Sequence, residues 1–348
     1  MRILQVSPKY FPFFGGVEEH VRNIAERLAK RHEVTVFATD EQGSLPKEEE
    51  ISGVLVRRFR SFAPGDAYHF SLAMWRELKR VRFDIVHGHS YHTLPLYLSK
   101  YARCAKYVVT PHYEGHAGTR FRDFLLKLYK PFGKGIFEAA DTIIAVSKYE
   151  RELLLRDFKF DEAKIRLIPN GINSSEFAKV RGVKKKERVI LYAGRLEKYK
   201  GVQYLISALP LLEGFSLEIV GRGSYKPSLL EQVRRLKLKE RVNFYQNLSR
   251  EELLCKLAEA SVFVLLSRYE CFSIAVAEAL AAGTPCIVAL TSALKEWVDG
   301  RNCFGISYPI NPAELASLIS AVSGKRVSGV RLWDWDDVVA ELENVYRL

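Results

Sequence analysis

Long apolar runs, paired cysteines and methionine are all scarce in this chain, and each scarcity excludes something. The longest apolar runs fall far short of the roughly 20 residues of a membrane-spanning helix. The five cysteines, Cys104, Cys255, Cys271, Cys286 and Cys303, form an odd, scattered set with no C-x-x-C pair. That argues against a disulfide framework and against a thiolate zinc site. Cys255 and Cys286 sit in apolar contexts, so buried free thiols in a reducing cytosol are expected. No G-x-G-x-x-G occurs, which argues against a dinucleotide-dependent dehydrogenase. No short repeat or low-complexity tract occurs either. The start, MRILQVSPKY, reads as a buried strand and not as a cleavable leader, so a cytoplasmic protein is expected. Methionine occurs only twice while charged residues make up 27%, a balance compatible with a thermophilic source.

What the chain does have is length, an apolar core's worth of residues and positive charge. Its 348 residues suggest two domains, and its 48% apolar content suits a globular protein. The formal charge of +12 favours anionic nucleotides or anionic lipid headgroups. No recognisable module of clustered arginines and aromatics is present, so no nucleic-acid partner is expected.

The first half alternates strands with helices. ILQVS (3–7), VTVFAT (34–39), VLVRRF (54–59), DIVHGH (84–89), YVVTPH (107–112), TIIAVS (142–147) and IRLIPN (165–170) read as strands. A helix after the first loop places Val17, Val21, Ile24 and Leu28 on one face. A basic break at 179–188 reads as a solvated turn. The alternation then restarts at VILYAG (189–194), LEIVG (217–221), VNFYQ (242–246), VFVLLS (262–267), CIVAL (286–290) and GISY (305–308). Strands separated by helices imply parallel, doubly wound α/β sheets, one per domain. The last segment, WDWDDVVAELENVYRL, is an amphipathic helix with Trp335, Val338, Val339, Leu342 and Val345 apolar.

The chemistry concentrates where strands end. SRYECFSIAVAEALAAGTPCIV (267–288) sets Glu270 on the loop after a buried strand and Glu278 on the following helix, with Ser273 as an N-cap. Ligands of open α/β sheets bind at that edge. A carboxylate there can accept bonds from a sugar or ribose diol, and a helix start can hold phosphate. AGRLEKYKG (193–201) brings Arg195 and Lys200 to the same kind of edge, where two cations can neutralise a diphosphate. In SPKYFPFFGGVEEHV, Gly15 and Gly16 lie between strand and helix, where chain passes close to a ligand. VHGHS and TPHYEGH put His89 and His112 at strand ends, with Glu114 two residues further on. A zinc reading of His87, His89, His92, His112 and His116 is open on spacing, but no cysteine joins them.

These motifs together resemble the retaining glycosyltransferases of family 4, which have the GT-B fold: two Rossmann-like doubly wound parallel-sheet domains facing a cleft. The resemblance spans essentially the whole chain. It implies an acceptor-binding domain over 1–170, joined by the C-terminal helix 331–348 crossing back, and a nucleotide-sugar domain over 171–330. It implies a nucleotide-diphosphate sugar as donor, a carbohydrate or lipid-linked acceptor, and no cofactor or metal. Arg195 and Lys200 would take the diphosphate and Glu270 the hydroxyls of the transferred hexose. Cys271, Phe272 and Ser273 would present backbone N–H groups, and Glu278 would bond the ribose. Residues 245–248 would meet the base. His112 would contact the donor sugar, Gly15 and Gly16 would face its phosphate, and His89 and Glu114 would line the acceptor side. Domain closure would exclude water from the reaction.

Three departures from the family pattern stand out. Asn173 replaces the usual Asp of the hinge, Cys271 and Ser273 replace commoner glycines, and Arg222 replaces a common acidic residue. A nucleotide-sugar epimerase of the same fold and a non-catalytic binding protein are the alternatives. The helical segment 119–137 carries Phe121, Phe124, Leu125 and Leu128 on one face, with Arg120, Arg122, Lys127 and Lys130 around it. Core packing is the simpler reading; the sharper one is an interfacial helix at an anionic membrane.

Overall fold

A computed structural model describes residues 1–63, 68–116, 120–180 and 182–347. The side chains of Arg120, Phe121, Arg122 and Leu125 lie outside the described residues. The chain divides into two compact units, Met1–Gly171 with Trp335–Leu348, and Ile172–Asp334.

The first unit is built on an eight-stranded sheet. Its strands are β1 (Arg2–Val6), β2 (Glu33–Asp40), β3 (Glu48–Ile51), β4 (Val54–Arg60), β5 (Arg82–His89), β6 (Arg103–Thr110), β7 (Thr142–Ala145) and β8 (Ile165–Leu167). The order is β3-β4-β2-β1-β5-β6-β7-β8, so the winding reverses between β1 and β5. All pairings are parallel except β3–β4. The antiparallel β3 is the one strand of this sheet that the sequence hides: its residues, EEEI, carry no apolar run. It stands at the edge, where charged side chains discourage pairing with another chain.

Five helices follow in order: α1 (Gly16–Leu28), α2 (Leu72–Leu78), α3 (Leu94–Ser99), α4 (Arg120–Ala139) and α5 (Lys148–Asp157). α1 carries Glu18 and Glu19 in its first turn and Arg27 in its last, matching the helix dipole. It buries His20, Val21, Asn23, Ile24, Ala25 and Leu28. α4 packs into the core, but not through Phe124 and Leu128 of the face read from the sequence. Phe124 and Leu128 are 56% and 55% exposed, and Phe132 is 67% exposed. Leu126, Ile136 and Phe137 supply the buried side instead.

The second unit has a six-stranded, wholly parallel sheet in the order β11-β10-β9-β12-β13-β14. It comprises β9 (Val189–Ala193), β10 (Ser216–Val220), β11 (Val242–Tyr245), β12 (Val262–Leu265), β13 (Cys286–Ala289) and β14 (Cys303–Ile306). α6 (Ser174–Ala178) precedes the sheet. α7 (Val202–Ala208), α8 (Lys226–Arg235), α9 (Arg250–Glu259), α10 (Ile274–Ala281) and α11 (Pro312–Val322) connect or flank the strands. Ser249 and Glu252 close a reciprocal capping box at the start of α9. Cys286 is buried on β13, but Cys255 is exposed on α9, contrary to expectation. Its neighbours Leu254 and Leu257 take the inward positions.

The last helix, α12 (Trp335–Arg347), belongs to the first unit. Trp335, Val338, Val339, Leu342, Val345 and Tyr346 are all buried. Each such side chain removed from water contributes roughly 1.5–3 kcal/mol. Arg27 Nε to Asp336 Oδ1 at 2.8 Å adds a polar tie to α1.

Candidate functional site

In the second unit the winding reverses between β9 and β12, which are neighbours in the sheet. Loops leaving adjacent strands in opposite directions open a crevice at their carboxyl ends, the usual ligand site of such sheets. Lys200 follows β9 and Glu270 follows β12, so the topology alone brings both to that crevice. Lys200 Nζ lies 2.6 Å from Glu270 Oε1, with both residues buried.

The backbone fixes this pair. Gly201 has φ +80, and a Cβ there would stand 2.4 Å from the Leu266 carbonyl oxygen. Only glycine lets the β9 and β12 loops approach that closely. The Arg268 N–H donates to the Tyr199 carbonyl at 2.8 Å, stitching the same loops. The Glu270 N–H donates to Ser292 Oγ at 3.0 Å, and its carbonyl accepts from the Ala293 N–H. Arg195 is exposed on the same loop as Lys200, with Nη2 3.0 Å from the Tyr199 hydroxyl.

The loop from Glu270 into α10 is held by its carbonyls. The Trp297 indole donates to the Phe272 carbonyl at 2.7 Å, and the two rings pack edge to face at 5.1 Å. Cys271 is buried. Ser273 occupies the N-cap position but adopts φ +77, and its side chain makes no capping bond. The glycine usual at such a backbone angle explains why Ser273 departs from the pattern at a conformational cost.

Glu278 is buried on α10, and its Oε1 lies 2.6 Å from Arg250 Nη1. Arg250 Nε is 2.7 Å from Glu176 Oε2 on α6. Burial opposes the Arg250 charge, but the carboxylates of Glu278 and Glu176 outweigh it and hold its pKa above the ordinary value. Sequence reasoning missed this clamp. The available signal was the Ser249–Glu252 capping box, which starts a helix at Arg250 beside the carboxyl edge. Tyr245 ends β11, with Lys256 Nζ 3.7 Å above its ring.

In the first unit the reversal falls between β1 and β5. The loop after β1 carries Gly15 at the N-cap of α1, and Gly16 opens the helix. A Cβ on Gly16 would meet nothing within 4 Å, whereas one on Gly15 would stand 2.3 Å from Glu18 Oε2. His89 ends β5, fully buried. His112 follows β6 with φ +47, and its ring lies 4.8 Å from that of His20. Glu114 is half-buried, and its N–H faces His92 Nε2 at 3.5 Å.

Of the histidines read together from spacing, the structure brings His87, His89 and His112 into proximity and sets His92 apart, stacked on Tyr113. His20, from the inner face of α1, completes the cluster and was missed. Burial lowers the His20 pKa to about 4 against the opposing effect of its hydrogen bond to Asn170 Oδ1. Burial, then neighbouring imidazoles, hold His87, His89 and His112 well below the usual value.

Two open α/β sheets, each with its candidate residues at a winding reversal, define the GT-B class of fold. Residues 14–176 match the description Glycosyltransferase Family 4, and residues 173–323 match Glycosyl transferases group 1. The chain belongs to this family of glycosyltransferases. It is 29% identical to an uncharacterized glycosyltransferase of Methanocaldococcus jannaschii, over 100% of this chain and 98% of that protein. It is 27% identical to the glycogen synthase of Mycobacterium tuberculosis, over 99% and 94% of the two chains. Among solved structures, the sucrose-phosphate synthase of Thermosynechococcus elongatus superposes with a TM-score of 0.80 at 22% identity, covering 99% and 98%. Anabaena HepE in complex with UDP-glucose gives 0.77 at 20% identity, covering 100% of both chains.

Proposed function

We propose that this glycosyltransferase moves a hexose from a nucleotide-diphosphate sugar to a carbohydrate or lipid-linked acceptor, with retention of anomeric configuration. The observation that carries the reading is the buried Lys200–Glu270 pair at the winding reversal of the second sheet. A cation and a carboxylate held together there suit a ligand that is anionic at one end and hydroxylated at the other. The donor diphosphate would draw Lys200 and Arg195, and hexose hydroxyls would donate to Glu270. The negative charge that develops on the leaving diphosphate would be stabilised by fixed cations. The start of α10 would add backbone N–H donors from Cys271, Phe272 and Ser273, and Glu278 would accept from the ribose diol. Gly15 and Gly16 would border the donor phosphate.

Same-face attack would use the leaving phosphate as base, and the main-chain carbonyl of His112 would support positive charge at the anomeric carbon. His89 and Glu114 would serve the acceptor side. HepE supports a uridine donor by its UDP-glucose complex. A GDP-mannose-dependent mannosyltransferase of Xanthomonas oryzae, 26% identical over 81% of this chain, supports a guanosine donor equally. The exposed Phe124, Leu128 and Phe132 on α4, with Lys127 beside them, support contact with an anionic membrane carrying a lipid-linked acceptor. No helix among the described residues is long and apolar enough to cross a membrane.

The test is product stereochemistry. An α-linked nucleotide sugar incubated with an acceptor panel should give an α-linked product by proton NMR coupling constants. A β-linked product would overturn retention. Epimerised sugar released without any acceptor would point to the epimerase instead.

A further inference from the structure

The histidine cluster at the β1/β5 edge has a property that sugar transfer does not require. One ring nitrogen from each of His20, His89 and His112 lies within 4.8 Å of the others. In each ring a buried nitrogen is left without a hydrogen-bond partner: Nε2 of His20, Nδ1 of His89 and Nε2 of His112. Three such atoms in one place are unusual, because buried polar atoms are nearly always satisfied.

Their protonation is set from behind. His20 Nδ1 lies 2.7 Å from Asn170 Oδ1, and His89 Nε2 lies 2.7 Å from Gln5 Oε1. An amide oxygen only accepts, so each of those ring nitrogens carries the proton. The opposite nitrogens, His20 Nε2 and His89 Nδ1, therefore present lone pairs. Gln5 is itself oriented, with Nε2 3.3 Å from the Tyr346 hydroxyl. His87 cannot join, because its Nδ1 and Nε2 are engaged by Tyr346 and Thr110 at 2.7 Å each. Two buried lone pairs without a donor, beside an unpartnered third imidazole nitrogen, suit a shared electrophile. Metal-bound histidine usually donates its far N–H to an oxygen acceptor, the role that the Asn170 and Gln5 amide oxygens take here.

We propose that His20, His89 and His112 form a binding site for a divalent transition-metal ion of the zinc class. Three imidazoles exclude magnesium and calcium, which take oxygen ligands. Zinc–nitrogen bonds of about 2.0–2.1 Å in tetrahedral array need nitrogens roughly 3.4 Å apart, a modest contraction from the present spacing. His20 comes from α1, His89 from β5 and His112 from the segment after β6, so the ion ties three parts of one sheet edge together. The site departs from the expectation of a metal-free protein. It does not depend on the proposed donor or acceptor, and no step of transfer is assigned to it.

The test uses the full chain, stripped with chelator and free of nucleotide. Equilibrium dialysis with zinc should give one bound ion per chain, with a raised unfolding midpoint. Cobalt(II) should develop visible bands of a four- or five-coordinate nitrogen site, and X-ray absorption of the unmodified zinc form should fit three imidazoles. The double variant His20→Gln with His89→Gln should lose the ion and the bands, while His92→Ala keeps both. Absence of saturable binding by folded wild type at micromolar zinc would overturn the site. So would an equal response to magnesium, or an absorption fit without imidazole, which holds even where the double variant fails to fold.

Discussion

Lys200 and Glu270 stand seventy positions apart in the chain and 2.6 Å apart in space, each about nine-tenths buried at its side chain. Neither charge is stable alone in that setting, so each conditions the other. Removing one partner of a buried pair typically costs about 3–5 kcal/mol, because the remaining charge is stranded. Lys200→Met and Glu270→Gln should each lower stability by that order. The double variant should be more stable than the sum of the two losses predicts. Chemical denaturation of the four proteins checks this, and strict additivity would show that the pair is not coupled.

The same two residues should matter separately to turnover. On the proposed function Lys200→Met would remove a cation from the diphosphate, and we expect kcat/KM to fall at least about 100-fold, the scale of losing one fixed electrostatic contact. Steady-state kinetics with the preferred donor would read this directly. A loss confined to about threefold would remove Lys200 from the diphosphate.

Arg250 should act through Glu278. It begins a helix, a place where positive charge is normally unfavourable, and is retained there by two carboxylates. Arg250→Ala leaves Glu278 and Glu176 without their shared cation, so the donor KM should rise about tenfold, near 1.4 kcal/mol, with kcat changed much less. Arg250→Lys should restore part of the affinity. A fall in kcat at unchanged KM would instead place Arg250 in the transfer step.

Acid should destabilise the first unit through its buried histidines. His20 titrates near 4 in the folded chain because burial disfavours its charge, against about 6.5 unfolded. A base with a depressed folded pKa contributes stability that is present above the unfolded value. That stability is lost as pH falls from about 6.5 towards 4, at roughly 1.4 kcal/mol per pH unit for each proton taken up on unfolding. Denaturation in chelator between pH 7.5 and 5 should show the decline, and His20→Asn should flatten it by about one proton.

The exposed stripe of α4 gives a fifth outcome. Phe124→Ser, Leu128→Ser and Phe132→Ser together should abolish cosedimentation with vesicles rich in anionic lipid and leave activity on a water-soluble acceptor intact. Unchanged vesicle binding would remove α4 from the interface.

Much of this architecture was legible in the sequence, for a physical reason. Parallel strands buried on both faces must be continuous apolar runs, so VILYA, VFVL and CIVA declare themselves. Topology then places Lys200 and Glu270 at the carboxyl edge and Glu278 on the next helix, and the resemblance to the family-4 signature is what gave them roles. β3 was hidden because an edge strand can be charged. The exposure of Phe124 and Leu128 on α4 was missed because helical periodicity identifies an apolar face and not what covers it. His20 shares the inner face of α1 with Ile24 and Leu28 at four-residue spacing, a signal that was present. The capping box places Arg250 at the carboxyl edge, but its pairing with Glu278 was not legible, since nothing in sequence spacing reports which side chains meet across loops.

The central claim is that the second unit binds a nucleotide-diphosphate sugar. Calorimetric titration of the chain with UDP-, GDP- and ADP-linked glucose, mannose and N-acetylglucosamine tests it most directly, with Glu278→Ala alongside. The account predicts saturable binding of one nucleotide class, weakened at least tenfold in a folded Glu278→Ala protein. Absence of binding by all of them at millimolar concentration, or binding indifferent to Glu278, would contradict it.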